Sequence, residues 1–477
     1  MKNNTSVNTG RFCRICNSRV NLLLHICIVA LFLTFYSCKK DSTERTDIKT
    51  DIKKDIKIDT SNISVKWSEM DLHIIQYSRS NTPTYASRSL GYLGLTMYES
   101  IVPGYPEYKS LNDQLPGLTL PLADKTQSYN WKIAFNAAQT ALLKWLYPVP
   151  GNSHRFLHER IDSLSNVIFV SHSQNIDKAI IDRSVKFGND VAKAIYEWSV
   201  TDGGDMGYTR NFDQSLVFPK GDSFWIPPSY GQTTSNTPLH PTWGDNRTFV
   251  SSNSMIPIPK IIPYSVDTNS AYYQQYKAVF IKNKTLTRDE REIAGWWSDD
   301  PTETSSPPGH SFRIANIAIK STNASLIKCA ETYAKTGLAV ADAFINCWKA
   351  KVVYYNERPS SYVRKNIDSA WVQYWPEPPF PAFPSGHATQ SAAAATVLTQ
   401  LFGDGFEFTD RTFEGHRNRY AYDIILSARH YRSFNEAAEE CANSRFYGGI
   451  HTQQDNAAGA KTGRIVGQNV LALKWKN

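Results

Sequence analysis

Apolar side chains recur every three or four residues over most of the chain, which is the spacing of amphipathic helices. Near the start of the body Trp67, Met70 and Ile74 follow this spacing, and Thr82-Pro83 is a typical cap and first-turn pair for a second helix. Further runs with the helical period span 131–147, 176–198, 272–283, 287–298, 310–320, 326–355 and 455–473. Signals for strands are scarce, so the pattern predicts an all-α fold.

The helical period is interrupted in two long stretches. Eight of the 24 prolines fall within 201–269, and a polar stretch that we expect to be a surface loop follows at 403–431. In a compact domain a loop as long as the first is either functional or wrapped over the surface. We therefore divide the body into an N-terminal helical half, 65–320, which includes the Pro/Gly-rich loop 201–269, and a C-terminal helical half, 321–477.

The first 37 residues look like a targeting segment. The apolar run 22–36 has 15 residues, which is shorter than the roughly 18 needed to span a membrane but typical of a secretory signal. Ser37-Cys38 followed by Lys39-Lys40-Asp41 looks like a bacterial lipoprotein signal, and an ordinary signal peptide with an incidental cysteine is the alternative. We predict a lipoprotein signal peptide at 1–37, a lipid anchor to the membrane at Cys38 and a polar tether at 38–64. These features predict a bacterial cell-envelope protein, periplasmic or associated with the outer membrane.

Charge and cysteine content narrow the possible partners. The formal net charge is +8, and four basic residues in the leader account for half of it. The bias that remains is too small over so long a chain to indicate a nucleic-acid partner. Of the seven cysteines, Cys13 and Cys16 lie in the leader without a second pair. No zinc site and no disulfide framework are therefore predicted.

Candidate chemistry is concentrated at Pro384-Ser385-Gly386-His387. This stretch directly precedes the alanine-rich helical run 388–398. It therefore lies at a helix N-terminus, where unpaired N–H groups and a partial positive charge attract anions. Ser385 adds a hydroxyl group, Gly386 an accessible amide and His387 a proton donor. A Ser-Gly-His tripeptide alone is a weak signal, and its weight comes from two further blocks.

These two blocks supply cations and a second histidine. Upstream, Lys351 and Arg358 are seven residues apart, which predicts that both face one side of a helix that a proline then ends. Downstream, Asp455 lies one helical turn after His451, close enough to hold a ring nitrogen, and Arg445 precedes both. Three cations, two histidines, a hydroxyl and a glycine amide suit an oxyanion, with one histidine as nucleophile and the other as acid or base.

The three blocks resemble the signature shared by type 2 phosphatidic-acid phosphatases and vanadium-dependent haloperoxidases. That signature reads Lys, six residues, Arg-Pro; then Pro-Ser-Gly-His; then Ser-Arg, five residues, His, three residues, Asp. Every element is matched in order and at family spacing between Lys351 and Asp455. The resemblance implies a two-part helical bundle of the haloperoxidase/acid-phosphatase type. It also implies that vanadate or phosphate is bound by Lys351, Arg358, Ser385, Gly386 and Arg445.

By the same resemblance, three residues carry the catalysis. His451 bonds vanadium as the metal ligand, or attacks phosphorus as the nucleophile. His387 donates a proton to the leaving oxygen or to bound peroxide, a task that suits its ordinary pKa of about 6.5. Asp455 fixes the tautomer of His451, as a carboxylate behind a ligating histidine does.

Two enzymatic functions fit this set of residues. As a haloperoxidase, the chain holds vanadate as cofactor and oxidises a halide with hydrogen peroxide. As an acid phosphatase, it hydrolyses phosphomonoesters through a phosphohistidine and needs no cofactor. Trp348 and Phe380 match aromatic positions on the halide side of chloroperoxidase- and iodoperoxidase-like members, which favours the haloperoxidase, although both residues also suit a plain hydrophobic core. The third alternative is a non-catalytic anion-binding lipoprotein.

Overall fold

The computed structural model describes residues 62–418 and 420–477. The predicted signal peptide 1–37, the lipidation residue Cys38 and nearly all of the predicted tether 38–64 lie outside the described residues. Within the part of the chain that is described, no helix is both long and apolar enough to cross a membrane.

The described residues contain fourteen α-helices, which confirms the all-α prediction. The first nine are α1 (Ile63–Tyr77), α2 (Pro83–Glu99), α3 (Trp131–Leu146), α4 (Arg155–Ser173), α5 (Lys178–Ser199), α6 (Ser251–Ser254), α7 (Ala271–Lys284), α8 (Arg288–Trp296) and α9 (Ser306–Thr322). The other five are α10 (Leu326–Tyr354), α11 (Pro359–Asn366), α12 (Gly386–Phe402), α13 (Phe434–Tyr447) and α14 (Gln453–Leu471).

Four short strands lie between α12 and α13. They are β1 (Phe408–Asp410), β2 (Arg417–Asn418), β3 (Ala421–Ile425) and β4 (Arg429–Tyr431). β1 pairs antiparallel with β4, and β2 pairs antiparallel with β3. The segment 403–431 is therefore not simply the polar surface loop that we expected, since it forms two ribbons and its residue Asp410 is completely buried.

The long segment between α5 and α7 packs on the helices. Besides α6 it contains two three-residue 3-10 turns, Gly207–Thr209 and Trp243–Asp245. A Cβ atom at Gly244 would lie 2.4 Å from the Cα atom of Lys349 on α10, so the loop backbone lies directly against that helix. Although the segment 201–269 has no helical period, this packing makes part of it belong to the core.

Helix α10 is the centre of the fold. Its 29 residues are buried along most of their length. α2 crosses it at glycines, because a Cβ atom at Gly94 would lie 2.3 Å from the carbonyl oxygen of Tyr333, and one at Gly337 would lie 2.4 Å from that of Leu90. The C-terminal turns of α10 carry Trp348 and Lys351 towards the predicted site.

Two predicted helix ends are wrong, and prolines explain both. We expected one helix to carry Lys351 and Arg358, but α10 ends at Tyr354, and Tyr355 has a left-handed φ of 43°. Arg358 is instead the extended N-cap residue of α11, whose first residue is Pro359. Proline disfavours the helical conformation in the residue before it and is well suited to the first helical position. For the same reason Pro307 and Pro308 lie in the first turn of α9, which therefore begins before the predicted run 310–320.

Helices α12 and α14 pack with almost no side chain between them. A Cβ atom at Gly463 would lie 2.0 Å from the carbonyl oxygen of Thr389, and one at Gly459 would lie 2.6 Å from that of Ser385. The amide of Ser385 also donates to the carbonyl oxygen of Asp455 at 3.0 Å. This contact fixes the first turn of α12 against the first turn of α14, and so brings two of the predicted motifs together.

Candidate active site

The Ser385–His387 turn forms the N-terminus of α12, as the sequence predicts. Ser385 is the N-cap residue, and its hydroxyl oxygen accepts from the amide of Ala388 at 3.4 Å. Gly386 is the first helical residue, and Gly386 and His387 both line a cavity of about 280 Å³. The helix N-terminus therefore points its partial positive charge at this cavity.

Lys351 is buried beneath the proline-rich approach to that turn. Its Nζ atom donates to the carbonyl oxygens of Pro381 at 2.7 Å, Ala382 at 2.9 Å and Pro384 at 2.6 Å. Burial and the charge of Arg358 together lower its pKa to about 7. In this arrangement Lys351 holds the loop and supplies positive charge to the site, while its direct contact with an oxyanion stays a prediction.

Two buried arginines at the site each have a hydrogen-bond donor without a partner. Arg358 donates through Nη1 to Nε2 of His451 at 3.1 Å, yet its Nη2 is buried without a hydrogen-bond partner. Arg445 donates through Nη1 to the carbonyl oxygen of Trp297 at 2.9 Å, and its Nε likewise lacks a partner. Burial lowers the pKa of both guanidinium groups, to about 10 for Arg358. Because a buried donor without an acceptor costs about 1–3 kcal/mol, and more when charged, these groups favour an anion beside them.

His451 is held by Asp455 in the way that the sequence predicts. Nδ1 of His451 lies 3.0 Å from Oδ2 of Asp455, and that oxygen also accepts from the amide of Thr452 at 3.0 Å. Burial and the charge of Arg358 lower the pKa of His451 well below its ordinary value, so the ring is neutral at pH 7. Burial raises the pKa of Asp455 to about 6, which leaves it ionised at that pH. The Nδ1–H donates to the carboxylate, and the lone pair of Nε2 faces the cations.

His387 lies on the other side of the cations. Its Nε2 is buried without a partner. Burial and the charge of Arg445 lower its pKa well below 6.5, partly offset by hydrogen bonds to the backbone of Ser298 and Trp297. Our expectation of an ordinary pKa for His387 is therefore wrong for the site without an anion, because it neglected burial and the charge of Arg445. An anion at Arg445 would offset that charge and raise the pKa of His387.

The cavity that Gly386 and His387 line is mostly apolar. Gly386, His387, Arg445 and His451 line its floor, and its walls include Phe212, Leu239, Phe344, Trp348 and Phe380. The rings of Trp348 and Phe380 lie 5.0 Å apart, and Nζ of Lys351 lies 5.1 Å from the centre of the Phe380 ring. Both aromatic residues that the sequence singled out therefore face the site, and their role on the halide side stays a prediction.

The donors of the site fit an oxyanion. Arg358 Nη2, Arg445 Nε and His387 Nε2 are buried donors or ring nitrogens without partners, and they come from three separate helices or helix ends. In the described residues no group of three or more His, Cys, Asp or Glu side chains is arranged to hold a metal ion. Vanadate requires only one nitrogen ligand, for which His451 is available, together with hydrogen-bond donors to its oxygens. The residues present therefore fit vanadate or phosphate.

One group of residues behind the site was missed by the sequence analysis. His310 is buried between Asp299 and Asp410, at 2.9 Å and 2.7 Å, and its ring stacks on Trp297. The sequence placed His310 at the start of the helical run 310–320 and Asp410 in the surface loop 403–431. No pattern links residues that are 100 positions apart, so only the fold reveals the group.

Comparisons with known proteins agree with this site. The VCPO second helical-bundle domain matches residues 331–475, which include all three motifs. The crystal structure of the first bacterial vanadium-dependent iodoperoxidase is similar, with a TM-score of 0.72 and 31% identity over 86% of this chain and 95% of that chain. No curated protein matches the chain.

A bacterial vanadium-dependent chloroperoxidase shares the fold. Its apo-type structure has a TM-score of 0.62 and 17% identity over 80% of this chain and 91% of that chain. Its holo-type structure has a TM-score of 0.62 and 18% identity over 83% and 93%. With the iodoperoxidase 31% identical over most of both chains, this chain belongs to the vanadium-dependent haloperoxidases and is an enzyme of their superfamily, which also includes the type 2 phosphatidic-acid phosphatases.

Proposed function

We propose that this enzyme is a vanadium-dependent haloperoxidase, which uses bound vanadate to oxidise a halide with hydrogen peroxide. The observation that carries the proposal is the neutral His451, whose Nε2 accepts from Nη1 of Arg358. Beside it, Nη2 of Arg358 and Nε of Arg445 are buried donors without partners. This arrangement suits one bond to vanadium and several hydrogen bonds to its oxygens. The similarity to the bacterial iodoperoxidase supports the same assignment.

Each residue of the site has a role in this proposal. Bound vanadate would supply the Lewis acidity that activates peroxide towards a halide. Arg358 and Arg445 would donate to its oxygens, and the charge-assisted hydrogen bonds would be worth roughly 1.5–3 kcal/mol each. His451 would bond vanadium through Nε2 while Asp455 holds its Nδ1–H. His387 would hold the proton that peroxide requires, once the charge of Arg445 is offset.

Five further residues complete the set. Ser385 and the amide of Gly386 would contact the oxyanion at the N-terminus of α12, and Lys351 would neutralise its charge from beneath the loop. Trp348 and Phe380 would lie on the halide side. Iodide is the halide that we propose first, because the similar solved enzyme of 31% identity is an iodoperoxidase.

The assay that tests this function uses purified protein without residues 1–37, with and without orthovanadate. We expect peroxide-dependent oxidation of iodide that requires vanadate, and no such activity in His451→Ala. His416→Ala is the matched control, because His416 is exposed and lies directly before β2, outside the site. If no halide is oxidised and vanadate only inhibits the hydrolysis of phosphomonoesters, the enzyme is the phosphatase instead.

A second assay tests the two aromatic residues. Phe380→His and Trp348→Ala should change the ratio of iodide to bromide oxidation and leave the affinity for vanadate nearly unchanged. Equal losses for both halides would identify the two rings as hydrophobic core only.

We also propose that the enzyme is anchored at the bacterial cell envelope through Cys38. Ser37-Cys38 follows a short apolar run and precedes a polar stretch, which supports this location. Cys38→Ser should release the protein from membranes without loss of activity.

A further inference from the structure

The corner between α8 and α9 lies against the proposed vanadate site. It consists of Trp297, Ser298, Asp299 and Asp300, which are all at least 96% buried. Asp299 has a φ of 48°, a left-handed conformation that aspartate tolerates but that must be held by its surroundings. Ser298, Asp299 and Asp300 also line the cavity. The surroundings of this corner therefore determine part of the shape of the site.

His310 and Asp410 hold this corner from behind. Nδ1 of His310 lies 2.9 Å from Oδ2 of Asp299, and its Nε2 lies 2.7 Å from Oδ2 of Asp410. The His310 ring also stacks on Trp297, with 4.4 Å between centres and 23° between planes. Asp410 is itself fixed by the amide of Thr412, which donates to its Oδ1 at 2.8 Å. Asp299, His310 and Asp410, which we call the triad, are each at least 98% buried.

The same corner holds two residues of the proposed site. The carbonyl oxygen of Trp297 accepts from Nη1 of Arg445 at 2.9 Å. The backbone of Trp297 and Ser298 also hydrogen-bonds to His387. A shift of this backbone would therefore move both the guanidinium group and the imidazole ring. Neither the haloperoxidase proposal nor the sequence motifs give the triad a role.

We infer that Asp299, His310 and Asp410 are positioning residues: they fix the Trp297–Ser298 backbone and, through it, the places of Arg445 and His387. This inference rests on the proposed function, because it concerns the residues that would bind vanadate and hold the proton. None of the three is proposed to react. Their part is to keep Nε of Arg445 and Nε2 of His387, two buried nitrogens without hydrogen-bond partners, aimed at an oxyanion.

The charges of the triad fit this role. Burial alone would lower the pKa of His310, but Asp299 and Asp410 raise it to about 10, so the ring is an imidazolium between two carboxylates. Arg313 on the same helix also faces both carboxylates, and burial lowers its pKa. With both N–H groups donated, the imidazolium has no freedom to rotate, and charge-assisted hydrogen bonds of this kind are stronger than neutral ones.

The first test measures the binding of orthovanadate and of inorganic phosphate by calorimetry, without any turnover. We expect His310→Gln and Asp299→Asn to weaken the binding of vanadate at least tenfold. Asp202→Asn is the matched control, because Asp202 is also a buried carboxylate with a cationic partner, Arg88 at 2.7 Å, but does not line the cavity. It should lower the melting temperature and leave the affinity for vanadate within twofold of the wild type.

A double-mutant cycle separates positioning from general loss of stability. If the triad acts through Arg445, then His310→Gln should weaken binding much less in an Arg445→Lys background than in the wild type. A full and additive loss in both backgrounds would overturn the inference. Asp410→Asn provides a milder variant if His310→Gln does not fold, since the amide keeps the size of the carboxylate.

A crystal structure of Asp410→Asn or His310→Gln tests the inference independently of activity. We expect the carbonyl of Trp297 to move and its bond to Arg445 to lengthen or break. An unchanged Trp297–Arg445 bond would overturn the positioning role, whether or not the protein binds an anion. If wild-type protein binds neither vanadate nor phosphate, the proposed function fails, and this structural comparison still decides on the triad.

Discussion

Burial determines the chemistry of the two site histidines. His387 and His451 both have a pKa well below the ordinary value, because each lies out of water beside an arginine. For His451 this leaves a lone pair on Nε2 at neutral pH. For His387 it means that the proton can be held only after an anion has offset the charge of Arg445. The two rings therefore have different tasks although both are neutral in the structure.

From this difference we predict that His387→Ala and His451→Ala fail in different ways. Loss of a proton donor typically costs about 10²–10⁴-fold in rate, so His387→Ala should lower kcat by that range and keep most of the vanadate affinity. His451→Ala should abolish turnover and weaken vanadate binding strongly, since only hydrogen bonds would remain. Steady-state kinetics and calorimetry on both variants measure this, and equal loss of affinity in the two would contradict it.

His310 gives a prediction for stability against pH. Its pKa is raised to about 10 in the folded protein by Asp299 and Asp410, against about 6.5 when unfolded. A raised pKa contributes stability that is complete below pH 6.5 and is lost as the pH rises towards 10. The free energy of unfolding of the wild type, relative to His310→Gln, should fall by about 1.4 kcal/mol per pH unit between pH 7 and 10. Urea denaturation at several pH values measures this, and a constant difference would show that the ring is neutral.

The residues of the site were easier to predict than their partners. The spacing of the three motifs indicated His387, His451 and Arg445, because each is part of a local pattern. That Lys351 donates to three carbonyl groups follows only from the path of the loop 381–384. The contact between His310 and Asp410 joins α9 to β1 and has no local signal.

At the scale of elements, helix starts were predicted well where capping is local. Thr82 caps α2 and accepts from the amide of Tyr85, with Pro83 at the first helical position, as the sequence indicates. The break between α10 and α11 was missed, because the seven-residue spacing of Lys351 and Arg358 suits a single helix, whereas the left-handed Tyr355 ends α10 before Arg358. The ribbons between α12 and α13 were missed because their strands have two to five residues, too few for a period to appear.

The close contact of α12 with α14 leads to a prediction about Gly463. A methyl group there would lie 2.0 Å from the carbonyl oxygen of Thr389, which is backbone and cannot rotate away. Gly463→Ala should lower the free energy of unfolding by roughly 1–3 kcal/mol, the usual cost of overpacking. It should also reduce activity, because separating the helices moves Ser385 away from Asp455.

Denaturation with urea measures the effect of Gly463→Ala on stability. Ala457→Ser is the matched control, because it adds one heavy atom to an exposed position on the same helix. A stability of Gly463→Ala that equals that of the control would show that the two helices separate at little cost.

At the scale of the whole molecule, the cations of the site connect distant parts of the chain. Lys351 lies in the last turn of α10, Arg358 caps the start of α11 and Arg445 lies on α13. All three are buried, and the charge of Arg358 acts on Lys351 as that of Arg445 acts on Arg358. In the described structure their mutual repulsion is opposed by the carbonyl groups around Lys351 and by the carboxylates of Glu377, Asp455 and Asp300. An oxyanion would pair with all of them at once, and would thus stabilise the contacts between these helices.

We therefore predict that orthovanadate stabilises the fold as well as activating the enzyme. A ligand that binds only the folded state adds about 2.7 kcal/mol to the free energy of unfolding at 100 times its Kd. Differential scanning calorimetry should show a melting temperature that rises with vanadate in the wild type and in His416→Ala, and a much smaller rise in His451→Ala. Phosphate should shift the transition in the same direction, since it uses the same donors. An equal rise in His451→Ala would mean that vanadate binds elsewhere, and would remove the link between the buried cations and the stability of the fold.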